Sequence, residues 1–363
     1  LVNKTAFIYL TAFSRTGGIE QFNKNVLASF KESGLDAYSV YDHEADGKYF
    51  NKQSFKGFNG NKLACLMSLI WNAKKYSTIL IGHINLAPLA YLIKLLYPSK
   101  QLILFAHGIE VWKPLVGSKA WLVKNTSAIY SVSNFTKTTL LANNPVLASD
   151  KIRILPNALD PFFDYPTELE KPTYLLNRYG IQPDEKLILT VSRLSSDEQY
   201  KGYDIVIKIL KELNNDQSIL KYIIAGNADE KELTRVKQLI QEEGLSDKVI
   251  LTGFVKEQEL IDHYLVADIF VLPSKGEGFG IVLIEALACG RKVIAGNKDG
   301  SVDALKNGEL GTLVDPDNLD QLKLAINNLL NDSTFDHLAM QVRARQNYSF
   351  ERFKNNLLQI NTA

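Results

Sequence analysis

The chain has 363 residues, enough for two α/β domains that each bury a core of their own. Its 46% apolar and 22% charged residues are ordinary for a globular protein, and a net charge of +1 argues against a nucleic-acid binder that works by bulk electrostatics. Cys65 and Cys289 have no zinc spacing, no apolar run reaches the eighteen or so residues of a membrane helix, and no signal peptide is visible, so reduced thiols and a cytoplasmic location are expected.

Residues 4–10 (KTAFIYL) have the continuous apolar character of a buried strand. A loop at 14–18 leads into helical spacing at Ile19, Phe22, Val26, Leu27 and Phe30; Gly34 ends that helix, and 36–41 is the next strand. Gly17-Gly18 therefore lies at the first strand-to-helix turn, where small residues let a ligand approach the backbone. Residues 42–61 are polar and irregular. Asp42, His43, Glu44 and Asp46 have the chemistry of metal ligands but no apolar frame to hold them, so a solvated loop is expected. Helix at 62–75, strand at 78–82, helix at 86–96 and strand at 101–106 follow, the last running into His107-Gly108. A histidine at the carboxyl end of a parallel strand stands where ligands bind in such sheets. Strands at 128–132 and 152–155 flank a helix from about Asn134 to Ala142.

Pro156, Pro161, Pro166 and Pro172 mark a linker, after which the alternation restarts. Strands are expected at 187–191, 222–225, 249–252, 269–272, 293–295 and 311–314, with helices at 204–213, 232–243, 258–267 and 320–331. Residues 273–290 (PSKGEGFGIVLIEALACG) stand out: a glycine-broken loop opens into an apolar run whose single ionisable side chain is Glu285. A carboxylate in a helix that is apolar all round is costly unless it is hydrogen-bonded. Glu277 lies in the loop that becomes the helix start, a place that favours an anion. A tail helix at 336–360, interrupted at Tyr348-Ser349-Phe350, is long enough to pack back on the first domain. The fold class is thus α/β, two doubly wound Rossmann-like domains facing a cleft, with a C-terminal helix returning to the first. The domains are expected at 1–160 (with 347–363) and 161–346.

Several residues carry two readings. Arg193, after the first strand of the second domain, and Lys201, before its first helix, suit a diphosphate, but exposed charge would look the same. Glu285 could accept two neighbouring sugar hydroxyls or be a structural carboxylate paired with Arg193 or Lys201. Asp315-Pro316-Asp317 has the spacing of a metal–nucleotide site, yet it precedes a turn and a helix start and is read as capping.

Taken together, these residues resemble the family-four retaining glycosyltransferases of the GT-B fold. The resemblance rests on the E-x7-E run from Glu277 to Glu285, on Ser192-Arg193-Leu194 with Lys201-Gly202, on Gly17-Gly18, and on Phe105-Ala106-His107-Gly108. Pro156-Asn157 and Thr252-Gly253-Phe254-Val255 also fit. One departure is Gly226-Asn227-Ala228-Asp229, where the family often has a second glycine. The resemblance implies that Glu285 accepts the ribose hydroxyls of a nucleotide sugar, and that Arg193 and Lys201 neutralise its diphosphate. Phe279, Gly280 and Ile281 would hold sugar and phosphate by their N–H groups, and Glu277 would bind sugar hydroxyls. Val255 would meet the base, Gly17 and Gly18 would admit the diphosphate, and His107 would support charge at the reacting carbon. Cations take the place of a metal, so no metal and no cofactor are expected.

The implied function is retaining transfer of a sugar from a nucleotide-sugar donor, a UDP-sugar before GDP-mannose, to a saccharide or lipid-linked acceptor in surface polysaccharide or glycolipid assembly. A non-catalytic nucleotide-sugar-binding subunit supporting a partner enzyme is the competing class, as is a GDP-mannose-dependent mannosyltransferase. Trp112, Trp121, Lys113, Lys119 and Lys124, and the stretch 86–100, mix apolar and basic character. Either they form an ordinary amphipathic surface or they make peripheral contact with a membrane.

Overall fold

The structure is a computed structural model and describes residues 4–182, 184–214 and 220–359. The chain divides into two compact units, Leu1–Phe162 with Tyr348–Ala363, and Phe163–Asn347.

The first unit runs β1 (Lys4–Tyr9), α1 (Gly18–Ser29), β2 (Asp36–Ser39), β3 (Phe55–Gly57), α2 (Lys62–Asn72), β4 (Tyr76–Ile81), α3 (Ala87–Leu96), β5 (Gln101–Ala106), α4 (Gly117–Asn125), β6 (Ala128–Ser131), α5 (Asn134–Asn143) and β7 (Ile152–Ile154). Its strands pair in parallel in the order β3-β2-β1-β4-β5-β6-β7. Parallel strands covered on both faces need apolar side chains on both, which is why β1 and β5 read as unbroken hydrophobic runs. On one side Cys65, Leu69, Ala90, Ile93, Leu122 and Leu140 from α2 to α5 enter a common core with the strands. On α1, Phe22 packs edge-on against Phe105 of β5, with ring centroids 5.0 Å apart.

The second unit runs α6 (Thr173–Tyr179), β8 (Lys186–Val191), α7 (Tyr203–Asn214), β9 (Leu220–Ala225), α8 (Glu230–Glu242), β10 (Val249–Gly253), α9 (Glu257–Val266), β11 (Ile269–Leu272), α10 (Ile281–Ala288), β12 (Lys292–Gly296), α11 (Ser301–Ala304), β13 (Thr312–Val314), α12 (Leu319–Asn331) and α13 (His337–Tyr348). The strand order is β10-β9-β8-β11-β12-β13, again all parallel. Val206, Ile207 and Leu210 of α7 share a core with Val236 of α8 and Leu322 and Ile326 of α12. Both sheets reverse direction once, at β1/β4 and at β8/β11, and ligands of such sheets bind outside the carboxyl ends at that reversal.

The last helix, α14 (Phe350–Leu358), belongs to the first unit: Phe353 meets Phe22 edge-on at 5.5 Å, and the Leu159 N–H donates to the Tyr348 carbonyl at 2.9 Å. Ser349 is extended and separates it from α13, as the Tyr348-Ser349-Phe350 break implied. Ile360, where the expected tail helix ended, lies outside the described residues. The two Rossmann-like units with a returning C-terminal helix agree with the expected fold class.

Two local expectations fail. The stretch after Asp42 contains β3, an edge strand of three residues that pairs Ala37 with Phe55; it is too short to show a period. Asp42 is not in a solvated loop. It is buried, and its carboxylate accepts hydrogen bonds from the Thr11 hydroxyl (2.6 Å), the N–H groups of Ala12 (2.8 Å), Phe13 (3.1 Å) and Ser14 (2.9 Å), and the hydroxyls of Ser14 (2.7 Å) and Ser39 (2.8 Å). The frame that periodicity could not show is the β1–α1 loop itself. No group of three His, Cys, Asp or Glu side chains able to hold a metal occurs among the described residues. Cys65 and Cys289 are free and buried, and burial pushes the Cys65 thiol up to about 12, so neither is a reactive thiolate.

Candidate functional site

In the second unit, the loops that leave β8 and β11 at the sheet reversal carry most of the candidate residues. Lys201 ends the first loop and Glu277 lies in the second, and the Lys201 ammonium is hydrogen-bonded to the Glu277 carboxylate. Their side chains are only 17% and 13% exposed, so this pair is shielded well beyond an ordinary surface bridge. Burial alone would weaken the charge on Lys201, but the Glu277 carboxylate outweighs it and holds the ammonium above its usual range. Arg193 points elsewhere: Nη2 donates to Glu198 at 2.7 Å and the side chain is largely exposed.

Glycines set how closely these loops approach. Gly202 has φ +79°, and a Cβ there would stand 2.5 Å from the Pro273 carbonyl oxygen. The Lys275 N–H donates to the Tyr200 carbonyl at 3.0 Å, stitching the two loops together. Gly226, with φ +148°, leaves room for the Ser192 carbonyl, which a Cβ would meet at 1.9 Å. Ala228, where the family pattern often has glycine, forms a short parallel bridge with Leu194, so the departure is absorbed by backbone pairing.

Glu277 is clamped from behind. Its N–H donates to Asp299 at 2.7 Å, its carbonyl accepts from Gly300 N–H at 2.7 Å, and Asp299 also accepts from Ser301 N–H at 2.9 Å. Burial, with the Glu277 charge adding to it, raises the Asp299 carboxyl to about 6. Asp299 and Gly300 were not singled out in the sequence; the signal was a glycine turn at the end of β12. A Cβ on Gly300 would meet the Gly278 carbonyl oxygen at 2.0 Å, although its φ is an ordinary −66°. Gly300→Ala should therefore cost about 1–3 kcal/mol of stability by overpacking and displace the Glu277 loop. Gly47→Ala, with nothing within 4 Å, is the control, and equal melting temperatures for the two variants would refute the close approach.

The helix that follows, α10, starts at Ile281 behind Gly280, whose φ of +91° lets the chain turn and which offers no capping side chain. Phe279, Gly280 and Ile281 stand at this helix start, where the dipole favours an anion. Along α10 Leu283, Ile284 and Leu287 are buried, while Glu285 is half-buried. The partner seen for Glu285 is Tyr264, whereas Lys201 is paired with Glu277 and Arg193 with Glu198. The Glu285 Oε2 accepts from the hydroxyl of Tyr264 on α9 at 2.6 Å, and burial together with that carboxylate holds the Tyr264 phenol firmly protonated. Val255, half-buried after β10, follows the exposed Phe254 at the same sheet edge.

Asp315 and Asp317 follow β13. Lys298 bridges them at 2.6 and 2.8 Å and Lys275 also holds Asp317, while Asn318 caps α12 by accepting from the Gln321 N–H. The DxD spacing is thus a lysine-neutralised turn before a helix.

In the first unit, His107 stands at the carboxyl end of β5 and is buried. Its Nε2 donates to the Gly82 carbonyl at 2.8 Å, its own N–H donates to Glu110 at 2.6 Å, and its ring meets Phe22 edge-on at 4.9 Å. A second histidine escaped the sequence reading. His83, after β4, lies 6.3 Å from the His107 ring, and burial lowers its pKa to about 4, so it is neutral. Gly17 and Gly18 open α1; Gly17 is extended (φ 164°), and a Cβ there would meet only the tip of Glu20.

Two doubly wound units of this order are shared with solved glycosyltransferases of the GT-B class of fold. Residues 175–348 match the family model for glycosyl transferases group 1. An uncharacterized glycosyltransferase of Methanocaldococcus jannaschii is 32% identical over 187 residues, 51% of this chain and 46% of that one. A GDP-mannose-dependent alpha-(1-6)-phosphatidylinositol monomannoside mannosyltransferase of Mycolicibacterium smegmatis is 28% identical over 246 residues, 64% of this chain and 62% of that one. The chain thus spans about half the length of these curated relatives. Among solved structures, Anabaena HepE in complex with UDP and glucose has a TM-score of 0.80 at 18% identity and 99% coverage of both chains. Sucrose-phosphate synthase of Thermosynechococcus elongatus also scores 0.80 at 18% identity, covering 99% of this chain and 98% of that one. The resemblance to the family-four glycosyltransferases of the GT-B fold therefore holds at the level of fold and of the matched domain.

Proposed function

We propose that this chain transfers a sugar from a nucleotide-sugar donor, a UDP-sugar before GDP-mannose, to a saccharide or lipid-linked acceptor in surface polysaccharide or glycolipid assembly. The observation that carries this reading is the shielded Lys201–Glu277 pair beside the start of α10. A cation, a sugar-binding carboxylate and a helix N-terminus there serve a diphosphate and the sugar attached to it. HepE was solved with UDP, which supports a uridine donor, whereas the mannosyltransferase named above supports GDP-mannose as the second choice.

In this reading Glu285 accepts the ribose hydroxyls and Tyr264 fixes its orientation. Lys201 and Arg193 take up the charge on the diphosphate, and Val255 meets the base. In the first unit, Gly17 and Gly18 are assigned to the diphosphate and His107 to the sugar near its reacting carbon. The bond from the anomeric carbon to the diphosphate oxygen breaks as the acceptor hydroxyl oxygen forms a new one on the same face. The hydroxyl proton passes to the leaving phosphate oxygen, and configuration is retained. The protein's part is positioning and electrostatic stabilisation, with fixed cations in the role a metal would otherwise take.

Thermal-shift titration with UDP, GDP and ADP, followed by transfer assays with the matching sugars, tests the donor. Glu285→Gln should weaken nucleotide affinity by about tenfold, the cost of one charge-assisted hydrogen-bonding group. His107→Ala should lower turnover with donor affinity largely kept. No transfer or donor hydrolysis by the isolated protein, despite nucleotide binding, would leave the non-catalytic subunit as the reading.

A further inference from the structure

Of the eleven large apolar side chains exposed in the described part of the first unit, seven lie on two helices that share one side of its sheet. On α2, Leu63, Met67 and Trp71 recur every four residues and are 68%, 60% and 86% exposed. On α3, Tyr91, Leu92, Leu95 and Leu96 are exposed as well. The opposite faces of the same helices, with Cys65, Leu69, Ala90 and Ile93, are already in the core. A helix that is apolar on its outer face too has a second surface to bury.

The C-terminal ends of the two helices are tied together. The Tyr97 hydroxyl donates to the Ile70 carbonyl at 3.0 Å, and the Lys100 ammonium donates to the Tyr76 carbonyl and lies 3.4 Å from that of Lys74. Lys94 in turn donates to the Lys100 carbonyl at 2.7 Å. Trp71 and Leu95 therefore end beside a cluster of lysines, Lys74, Lys75, Lys94 and Lys100. Among the described residues no ion pair joins any of these four lysines to a carboxylate. From residue 47 to residue 149 the sequence holds twelve lysines and one acidic residue, Glu110, a net +11 (12 − 1) in a chain whose total is +1. Glu110 itself is taken by the His107 N–H.

We propose that the α2–α3 face of the first unit docks on an anionic lipid bilayer surface. Trp71, Met67, Leu63 and the α3 leucines enter the interfacial layer while the lysines meet lipid phosphates. Helices of 11 and 10 residues lie along such a surface, and no helix among the described residues is long and apolar enough to cross it. Pairing with a second copy through this face would set lysines against the same lysines with no acid between, which is repulsive. The exposed tryptophan is Trp71 and not the two read from sequence as membrane candidates. Trp112 and Trp121 pack on the core, Trp112 donating to the Thr136 hydroxyl and Trp121 backing Tyr91 at 4.9 Å. The face would dock in this way whichever reaction the protein performs.

Flotation of the full chain with phosphatidylcholine vesicles, with and without phosphatidylglycerol, tests it. Binding is expected only with the anionic lipid, weakened by salt, with a blue shift of tryptophan emission. Trp71→Ser with Leu95→Ser, and separately Lys74→Glu with Lys75→Glu, should each reduce binding by about tenfold or more. These side chains are on the surface, so circular dichroism and melting should not change. Absence of flotation with anionic vesicles at low salt overturns the proposal, as does wild-type flotation by both double variants. Loss of a dimer in light scattering on Trp71→Ser with Leu95→Ser, with no lipid binding by wild type, would instead assign the face to protein contact.

Discussion

Lys201→Ala should lower kcat/KM for sugar transfer by about two to three orders of magnitude, the usual effect of removing one preorganised charge from a developing anion. Lys201 is held in one place by Glu277, by the left-handed turn at Gly202 and by the Tyr200 carbonyl bond to Lys275. Little reorganisation is then needed when negative charge grows on the leaving diphosphate. The same substitution leaves Glu277 shielded without its cation, so some stability is lost as well. The double variant Lys201→Ala/Glu277→Gln, compared with Glu277→Gln alone, separates the two effects: melting should recover while transfer should stay well below that of the single Glu277 variant. If the double variant regains transfer along with stability, Lys201 is a structural partner of Glu277 and nothing more. Lys201→Arg should rescue only in part, because a planar fork does not replace a point charge in a shielded site.

Asp42→Ala should cost about 3 kcal/mol of folding stability, since it leaves the N–H groups of Ala12 and Phe13 without their acceptor and takes one partner from the hydroxyls of Thr11 and Ser39. Burial alone would raise the Asp42 carboxyl, but the hydrogen bonds from Ser14, Thr11, Ala12 and Ser39 outweigh it and the carboxyl lies below its usual range. A depressed carboxylate contributes stability that is present above its unfolded pKa, near 3.9 for Asp, and lost as pH falls through the lower folded value. Asp42→Asn should therefore flatten the acid limb of a melting-temperature profile below about pH 4 while lowering the plateau. Parallel acid limbs for wild type and Asp42→Asn would show that some other carboxylate controls that limb. In the native chain Asp42 holds residues 11–14 directly before Gly17 and Gly18, so the same variants report on whether the glycine turn needs a fixed approach.

Elements whose apolar residues run unbroken were legible in the sequence. Gln101–Ala106 and Ile269–Leu272 need no more than their own composition to be recognised as buried parallel strands, and their ends place His107 and the Glu277 loop. The break at Ser349 was also plain, because an extended serine between two helical runs is a local matter. Residues whose role comes from distant partners were not legible. Asp42 looked like one acid among several in a polar stretch; its six hydrogen bonds come mostly from residues about thirty positions earlier. Asp299 and Tyr264 reach Glu277 and Glu285 from other elements, and His83 meets His107 across neighbouring strands. Helix α6 was hidden by the prolines before it, although Pro172 begins it and Gly180, with φ +60°, ends it in the usual way.

The order of synthesis gives the returning helix a further meaning. Residues 163–347 form one uninterrupted unit and can complete their core as soon as they leave the ribosome, whereas the first unit must wait for Tyr348–Ala363, which are made after the whole of the second. Until Phe353 arrives, Phe22 lacks its outer neighbour, and Phe22 is the ring against which His107 rests. A chain stopped before Tyr348 should thus show a native second unit and a loosened first one, seen as early loss of hydrogen-exchange protection in α1 and β5. Equal protection of those two elements in full-length and shortened chains would mean that α14 covers the first unit without helping to hold it.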